Sequence, residues 1–128
     1  MAIDKLLVIA ADRAWEDILR TSLPHAFPEA KLSFTPDWNG AYGYARQERP
    51  DLYLLTSTQY LISASRDAPY RLKSDVDALR EIHPEANVAL LTGGLRWNLG
   101  TVLGPLGIPV FLKSDRYWVE KMSAHYVE

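Results

Sequence analysis

An α/β fold built on a five-stranded parallel sheet is what this sequence predicts, and three observations carry the prediction. Short apolar runs recur five times along 128 residues. Stretches with the 3.6-residue period of an amphipathic helix separate them. Most of the runs are apolar almost throughout, as strands buried on both faces must be, rather than alternating. Strand and helix in regular turn favour right-handed crossovers, which lay helices on both sides of a single sheet.

The elements follow in order. KLLVIA (5–10) opens as the first strand. After it Trp15, Ile18, Leu19, Ser22 and Leu23 follow the i, i+3, i+4, i+7, i+8 stripe of a helix, Trp15 as core, with Asp12 where an N-cap would stand. KLSFT (31–35) alternates better and is placed at a sheet edge. PDWNGAYGYARQER (36–49) holds two glycines, each costing a helix interior about 1 kcal/mol against Ala. A short, late helix is therefore expected near 40–48, and Trp38 finds no place. DLYLLT (51–56) is the third strand, and the connection after it, 57–72, is long. Such a length is uncommon in a compact domain unless it serves a function. KSDVDALREIH (73–83) reads as helix and NVALLT (87–92) as strand. Leu95, Leu99, Val102, Leu103 and Leu106 form a fourth helical stripe, stopped by Gly107 and Pro109. IPVFLK (108–113) is the last strand, and DRYWVEKMSAHYV (115–127) the last helix, with Val119, Met122 and Tyr126 together.

Composition narrows the function classes. The apolar share is 48% and the net charge −2, with no Lys/Arg cluster. Nucleic-acid binding needs a dense cationic face to displace counterions, so it is not expected. The absence of cysteine excludes disulfides, thiolate metal sites and thiol catalysis. No run approaches the roughly 18 apolar residues of a membrane span, and the start MAIDKLLVIAADR is too poorly flanked for a signal peptide. The expectation is a cytoplasmic, single-domain protein without cofactor. No carboxylate pair sits at a spacing for acid–base work, and no Ser/His/Asp set emerges. His25, His83 and His125 lie in or just after helical stretches.

The whole chain resembles the receiver domain of two-component response regulators. KLLVIAADRA resembles the first strand and its acidic loop, and RPDLYLLT the third-strand signature that ends at the phosphate-accepting Asp. NVALLTGG resembles a fourth strand ending in Thr, and IPVFLKSD a fifth ending in Lys. Ala11 and Thr56 lie 45 positions apart, and Thr92 and Lys113 lie 21 apart, as the family requires. The 36 positions from Thr56 to Thr92 exceed the usual interval, and the long connection accounts for the excess. The resemblance implies a flavodoxin-like (βα)5 sandwich with strand order 2-1-3-4-5.

Mapped one at a time, the family's functional positions are degenerate. The phospho-acceptor position falls on Thr56, and the acidic metal-binding pair on Ala10 and Ala11, leaving Asp12 one step on. The hydroxyl and the lysine of the family are kept as Thr92 and Lys113, but Ser114 replaces the following proline and Val110 the switch aromatic. Phosphoryl transfer needs an in-line nucleophile and a divalent cation on the equatorial oxygens. Mg²⁺ in turn takes hard oxygen ligands, usually with one or two carboxylates among them. A hydroxyl without a base is a poor nucleophile near neutral pH. The resemblance therefore implies a pseudo-receiver.

Plainer readings stand beside this one. Thr56, Ser57 and Thr58 can simply end a strand and cap the next turn, or else serve a small polar ligand or carry a modification. Lys113 is expected to face Asp12 across the rim, where an ion pair contributes at most about 1 kcal/mol. Gly93-Gly94 reads as a turn. Trp97, about 200° round its helix from Leu95, points away from the sheet, and at least one of Tyr117 and Trp118 must be exposed. These three belong to the fourth and fifth helical stretches, which in receivers commonly carry dimer or output contacts. They are the candidate interface, for another protein, for an output domain of a longer chain, or for a second copy. The leading function is a non-catalytic docking module not switched by aspartyl phosphorylation. The alternative is a small-ligand sensor or minor enzyme at the C-terminal rim of the sheet near Thr56, Thr92 and Lys113, and a third is a residual receiver phosphorylated at an unusual residue.

Overall fold

The computed structural model describes residues 3–10, 13–56, 68–92 and 104–126, with residues 68–70 by backbone alone. Strands β1 (Lys5–Ala10), β2 (Lys31–Thr35), β3 (Leu52–Thr56), β4 (Val88–Thr92) and β5 (Val110–Leu112) pair in the order β2-β1-β3-β4-β5. Every pairing is parallel. The helices among the described residues are α1 (Arg13–Ala26), α2 (Trp38–Gln47), α3 (Ala68–Ile82) and α4 (Trp118–Tyr126). The expected five-stranded α/β architecture and strand order are those of the molecule.

Successive side chains of a strand point to opposite faces, and this divides the core in two. Leu7 and Ile9 of β1 join Tyr53 and Leu55 of β3 against Ala41 and Ala45 of α2 and Leu72, Val76 and Leu79 of α3. Leu6 and Val8 join Leu52 and Leu54 on the other face, against Leu19 and Leu23 of α1 and Met122 and Tyr126 of α4. Each fully buried Leu contributes roughly 1.5–3 kcal/mol, so both layers are needed. The central strands β3 and β4 are buried along their whole length, whereas β2, at the edge as expected, is mostly half-exposed.

Several elements differ from the sequence reading in detail. Helix α2 starts at Trp38, because the Asp37 carboxylate caps it by accepting from Gly40 N at 2.8 Å. Trp38 thereby gains a place, packed on the core 6.1 Å from Tyr42. Helix α3 starts at Ala68 rather than at 73, since Pro69 is tolerated in a first helical turn. The long connection shortens to 57–67, which lies outside the described residues. On α1 the buried stripe is Leu19, Leu23 and Ala26, while Ile18 is 42% exposed and Trp15 only half-buried. On α4, Trp118 takes the buried i, i+4, i+8 line with Met122 and Tyr126, and Val119 packs beside it.

The start of the sheet is pinned by one carboxylate. Asp51 Oδ2 accepts from Asp4 N at 2.9 Å and from Lys5 N at 3.0 Å, tying β3 to β1. Before it, Arg49 holds a left-handed φ of 47° just past the end of α2, a position that usually favours glycine. Gly107, with φ 68°, ends the short helical turn at 104–106, as expected from its place before Pro109.

Candidate functional site

The carboxyl ends of the strands bring most of the mapped positions to one rim, where open α/β sheets bind ligands. Ala10 and Thr56 are register partners at the ends of β1 and β3. Thr92 ends β4 and is fully buried, and its carbonyl accepts from Lys113 N at 2.7 Å. Ala10, Thr56, Thr92 and Lys113 thus converge. Ala11, Asp12, Ser57, Thr58, Gly93, Gly94 and Trp97 lie outside the described residues.

Thr56 is 2% exposed, and its Oγ1 is buried without a hydrogen-bond partner among the described residues. The hydroxyl is thus enclosed rather than open to solvent. Lys113 turns its ammonium toward α1, with Nζ 4.3 Å from the centroid of the Trp15 ring. That placement is a cation–π contact.

The described residues of the rim do not fit the divalent cation that the fold family implies. Ala10 offers no oxygen ligand in its side chain, and Thr56 offers one buried hydroxyl in place of a carboxylate. Among the described residues no group of three or more His, Asp or Glu could hold a metal ion. Mg²⁺ requires several hard oxygens in near-octahedral array, so no phosphoryl step is derived through it.

Of the candidate interface residues, Tyr117 is 50% exposed and Trp118 is 7% exposed. Trp118 does not present a surface, because its ring packs on the core with its centroid 6.4 Å from that of Trp15. Leu112 is also exposed, at 36%. Asp115 organises the turn between them: its Oδ1 accepts from Tyr117 N at 2.9 Å, and its Oδ2 pairs with Lys121. The Lys121 hydrogen bond, then that of Tyr117, holds the Asp115 carboxyl below its usual range. A cleft of about 150 Å³ lies beside it, lined by Val110, Phe111, Leu112, Asp115, Trp118 and Lys121.

A second cleft, about 230 Å³, opens where β1 and β2 end and is lined by Ala10, Arg13, Glu16, Phe34, Thr35 and Pro36. It includes none of Thr56, Thr92 and Lys113. At the opposite end of the sheet, Tyr53 Oη and His83 Nδ1 are 3.0 Å apart. Burial pushes the Tyr53 hydroxyl up to about 12. Burial, then the Arg49 charge, lowers the His83 imidazole from its ordinary value. The sequence reading missed this pair, and also the Lys113–Trp15 contact. For the latter, a signal was present: Trp15 opens α1 and Lys113 follows β5, both at the same rim.

No family model matches the sequence, and neither does any curated protein. Solved structures do match, along nearly the whole chain. A response regulator from Thermotoga maritima is 17% identical with a TM-score of 0.70, over 95% of this chain and 96% of that one. The signal receiver domain of a DNA-binding response regulator from Colwellia psychrerythraea is 21% identical with a TM-score of 0.69, over 95% and 96%. A pilus assembly-related protein from Burkholderia pseudomallei is 13% identical with a TM-score of 0.69, over 98% and 93%. At such low identity the likeness speaks to architecture alone. The chain has the fold of response-regulator receiver domains.

Proposed function

We propose that this chain is a regulatory interaction module on the receiver fold whose docking is not switched by aspartyl phosphate. The observation that carries the reading is the pair at the acceptor position: a buried Thr56 beside Ala10, with no carboxylate from either strand end. Among the described residues of this rim, neither strand end offers a phosphoryl group an acceptor carboxylate or its cation a carboxylate ligand. What remains is an α/β scaffold with an exposed Tyr117 and Leu112 flanking the β5–α4 turn. Exposed aromatics of this kind favour protein contacts. The partner is another protein or an output domain in the same chain, and a second copy is the further option. With a net charge of −2, direct nucleic-acid binding forms no part of the reading.

The small-ligand reading is favoured by the cleft of about 230 Å³ beside Ala10. Sites for drug-sized ligands usually start near 300 Å³, so the docking reading is preferred. If a ligand binds there, substitution of Arg13 or Glu16 abolishes binding and substitution of Thr56 does not.

The docking reading is tested by titrating the protein with Mg²⁺ and then acetyl phosphate while following the backbone amide resonances of Ala10, Thr56 and Thr92. No saturable movement is expected. A saturable shift with both reagents would replace this reading with a residual receiver.

A further inference from the structure

We propose that Lys113, Trp15 and Trp118 form a latch that locks the β5–α4 turn against α1 and so holds the Tyr117–Leu112 surface in one arrangement. The inference rests on the docking reading and adds to it what fixes the docking surface. In this molecule packing sets the turn, and no phosphoryl group takes part.

The chain of contacts is continuous. Lys113 N donates to Thr92 O at 2.7 Å, which anchors the residue at the end of the sheet. Its side chain then lies over Trp15, with Nζ 4.3 Å from the ring centroid. A cation above an indole face is attracted by the ring quadrupole, more strongly as water is removed, and both residues are half-buried. The Trp15 ring meets Trp118 at 6.4 Å and a 57° tilt, within the range of favourable aromatic pairs.

Trp118 is the first residue of α4, and its N–H donates to Asp115 O at 3.1 Å. Asp115 N donates to Leu112 O at 3.1 Å, and the Asp115 carboxylate receives Tyr117 N and Lys121. The turn that carries Leu112 and Tyr117 is therefore closed internally, and it is joined to α1 through Lys113 and Trp118. Lys113 also takes part in other interactions. A double-variant cycle separates the Trp15 contact from them.

The experiment is native-state hydrogen exchange at the amides of Asp115, Tyr117, Trp118 and Lys121, normalised to the β3 amide of Tyr53. Lys113→Met keeps the length of the side chain and removes its charge. It should accelerate those four amides roughly two- to thirty-fold, the range a partly desolvated cation–π contact supplies. Trp15→Leu should do the same, and the double variant should be no faster than the faster single variant. Lys113→Arg, which can still stack on the indole, should stay close to the native rates.

Unchanged rates in Lys113→Met, multiplying effects in the double variant, or failure of Lys113→Arg to restore protection would each overturn the latch. If Trp15→Leu also exposes Tyr53, the native protein decides by itself. The Lys113 ε-methylene protons should resonate upfield of the other lysines through the Trp15 ring current, and their absence there would overturn the proposal. The phosphodonor titration leaves these residues untouched, so failure of the latch and failure of the docking reading are separately visible.

Discussion

Ala10 and Thr56 face one another as register partners at the ends of β1 and β3. Two of the positions that the resemblance maps onto carboxylates of a phosphorylatable receiver are thus neighbours, and neither holds a carboxylate here. A single missing carboxylate could be offset from the adjacent strand. Here the adjacent strand offers a methyl group.

The environment of Thr56 makes a direct test of this neighbourhood. Thr56→Val removes a buried hydroxyl that has no partner among the described residues and keeps the shape of the side chain. It should raise the unfolding free energy by about 1 kcal/mol. Thr56→Asp buries a carboxylate without ligands and should lower stability on the order of 3 kcal/mol at neutral pH. Urea unfolding measures both. A loss of stability in Thr56→Val would show that the hydroxyl holds a partner.

The Tyr53–His83 pair predicts a pH dependence. His83 titrates below its ordinary 6.5 in the folded chain, so the unfolded chain binds more protons as pH falls through that value. Stability should therefore be fully present above about pH 6.5 and decline as pH drops through the folded value. His83→Gln should flatten this slope, as read from denaturant midpoints between pH 7.5 and pH 5 (about the window in which an imidazole changes charge). Tyr53→Phe should cost about 1 kcal/mol at neutral pH through the lost hydrogen bond.

Two glycines of α2 should respond in opposite directions. A Cβ at Gly40 would come within 1.8 Å of Thr35 Oγ1 and 2.9 Å of Thr35 Cβ, whereas one at Gly43 meets nothing within 4 Å. Gly40→Ala should destabilise by roughly 1–3 kcal/mol through overpacking. Gly43→Ala should stabilise by about 1 kcal/mol through helix propensity. Thermal melts of the two variants check the contrast.

Asp51 Oδ2 alone accepts both Asp4 N and Lys5 N. Asp51→Ala leaves two backbone donors without that acceptor and should cost about 1–2 kcal/mol. Asp51→Asn can present its one amide oxygen to the same donors and should recover most of the loss. Equal losses in the two variants would assign the effect to charge rather than to the bonds.

The sheet was legible in the sequence because strands buried on both faces leave unbroken apolar runs, as KLLVIA, LYLLT and VALLT do. Helix faces were less so. Trp118 and Val119 are both apolar neighbours, and it is Trp118 that turns inward, packed on Trp15. The start of α2 was hidden by its glycines, whose helix penalty is outweighed by the Asp37 cap and by the packing of Trp38 and Tyr42. At the rim, residue types told which chemistry had been replaced. The Lys113 side chain lies over Trp15, nearly a hundred positions earlier, a contact legible only once the fold had brought both residues to the same rim.

The most direct measurement is the intact mass of the native protein after incubation with acetyl phosphate and Mg²⁺, beside a phosphorylatable receiver as positive control. A chain whose acceptor position holds a buried Thr56 next to Ala10 should retain its unmodified mass while the control gains one phosphoryl group. A stoichiometric gain of one phosphoryl group on this protein would contradict the central claim.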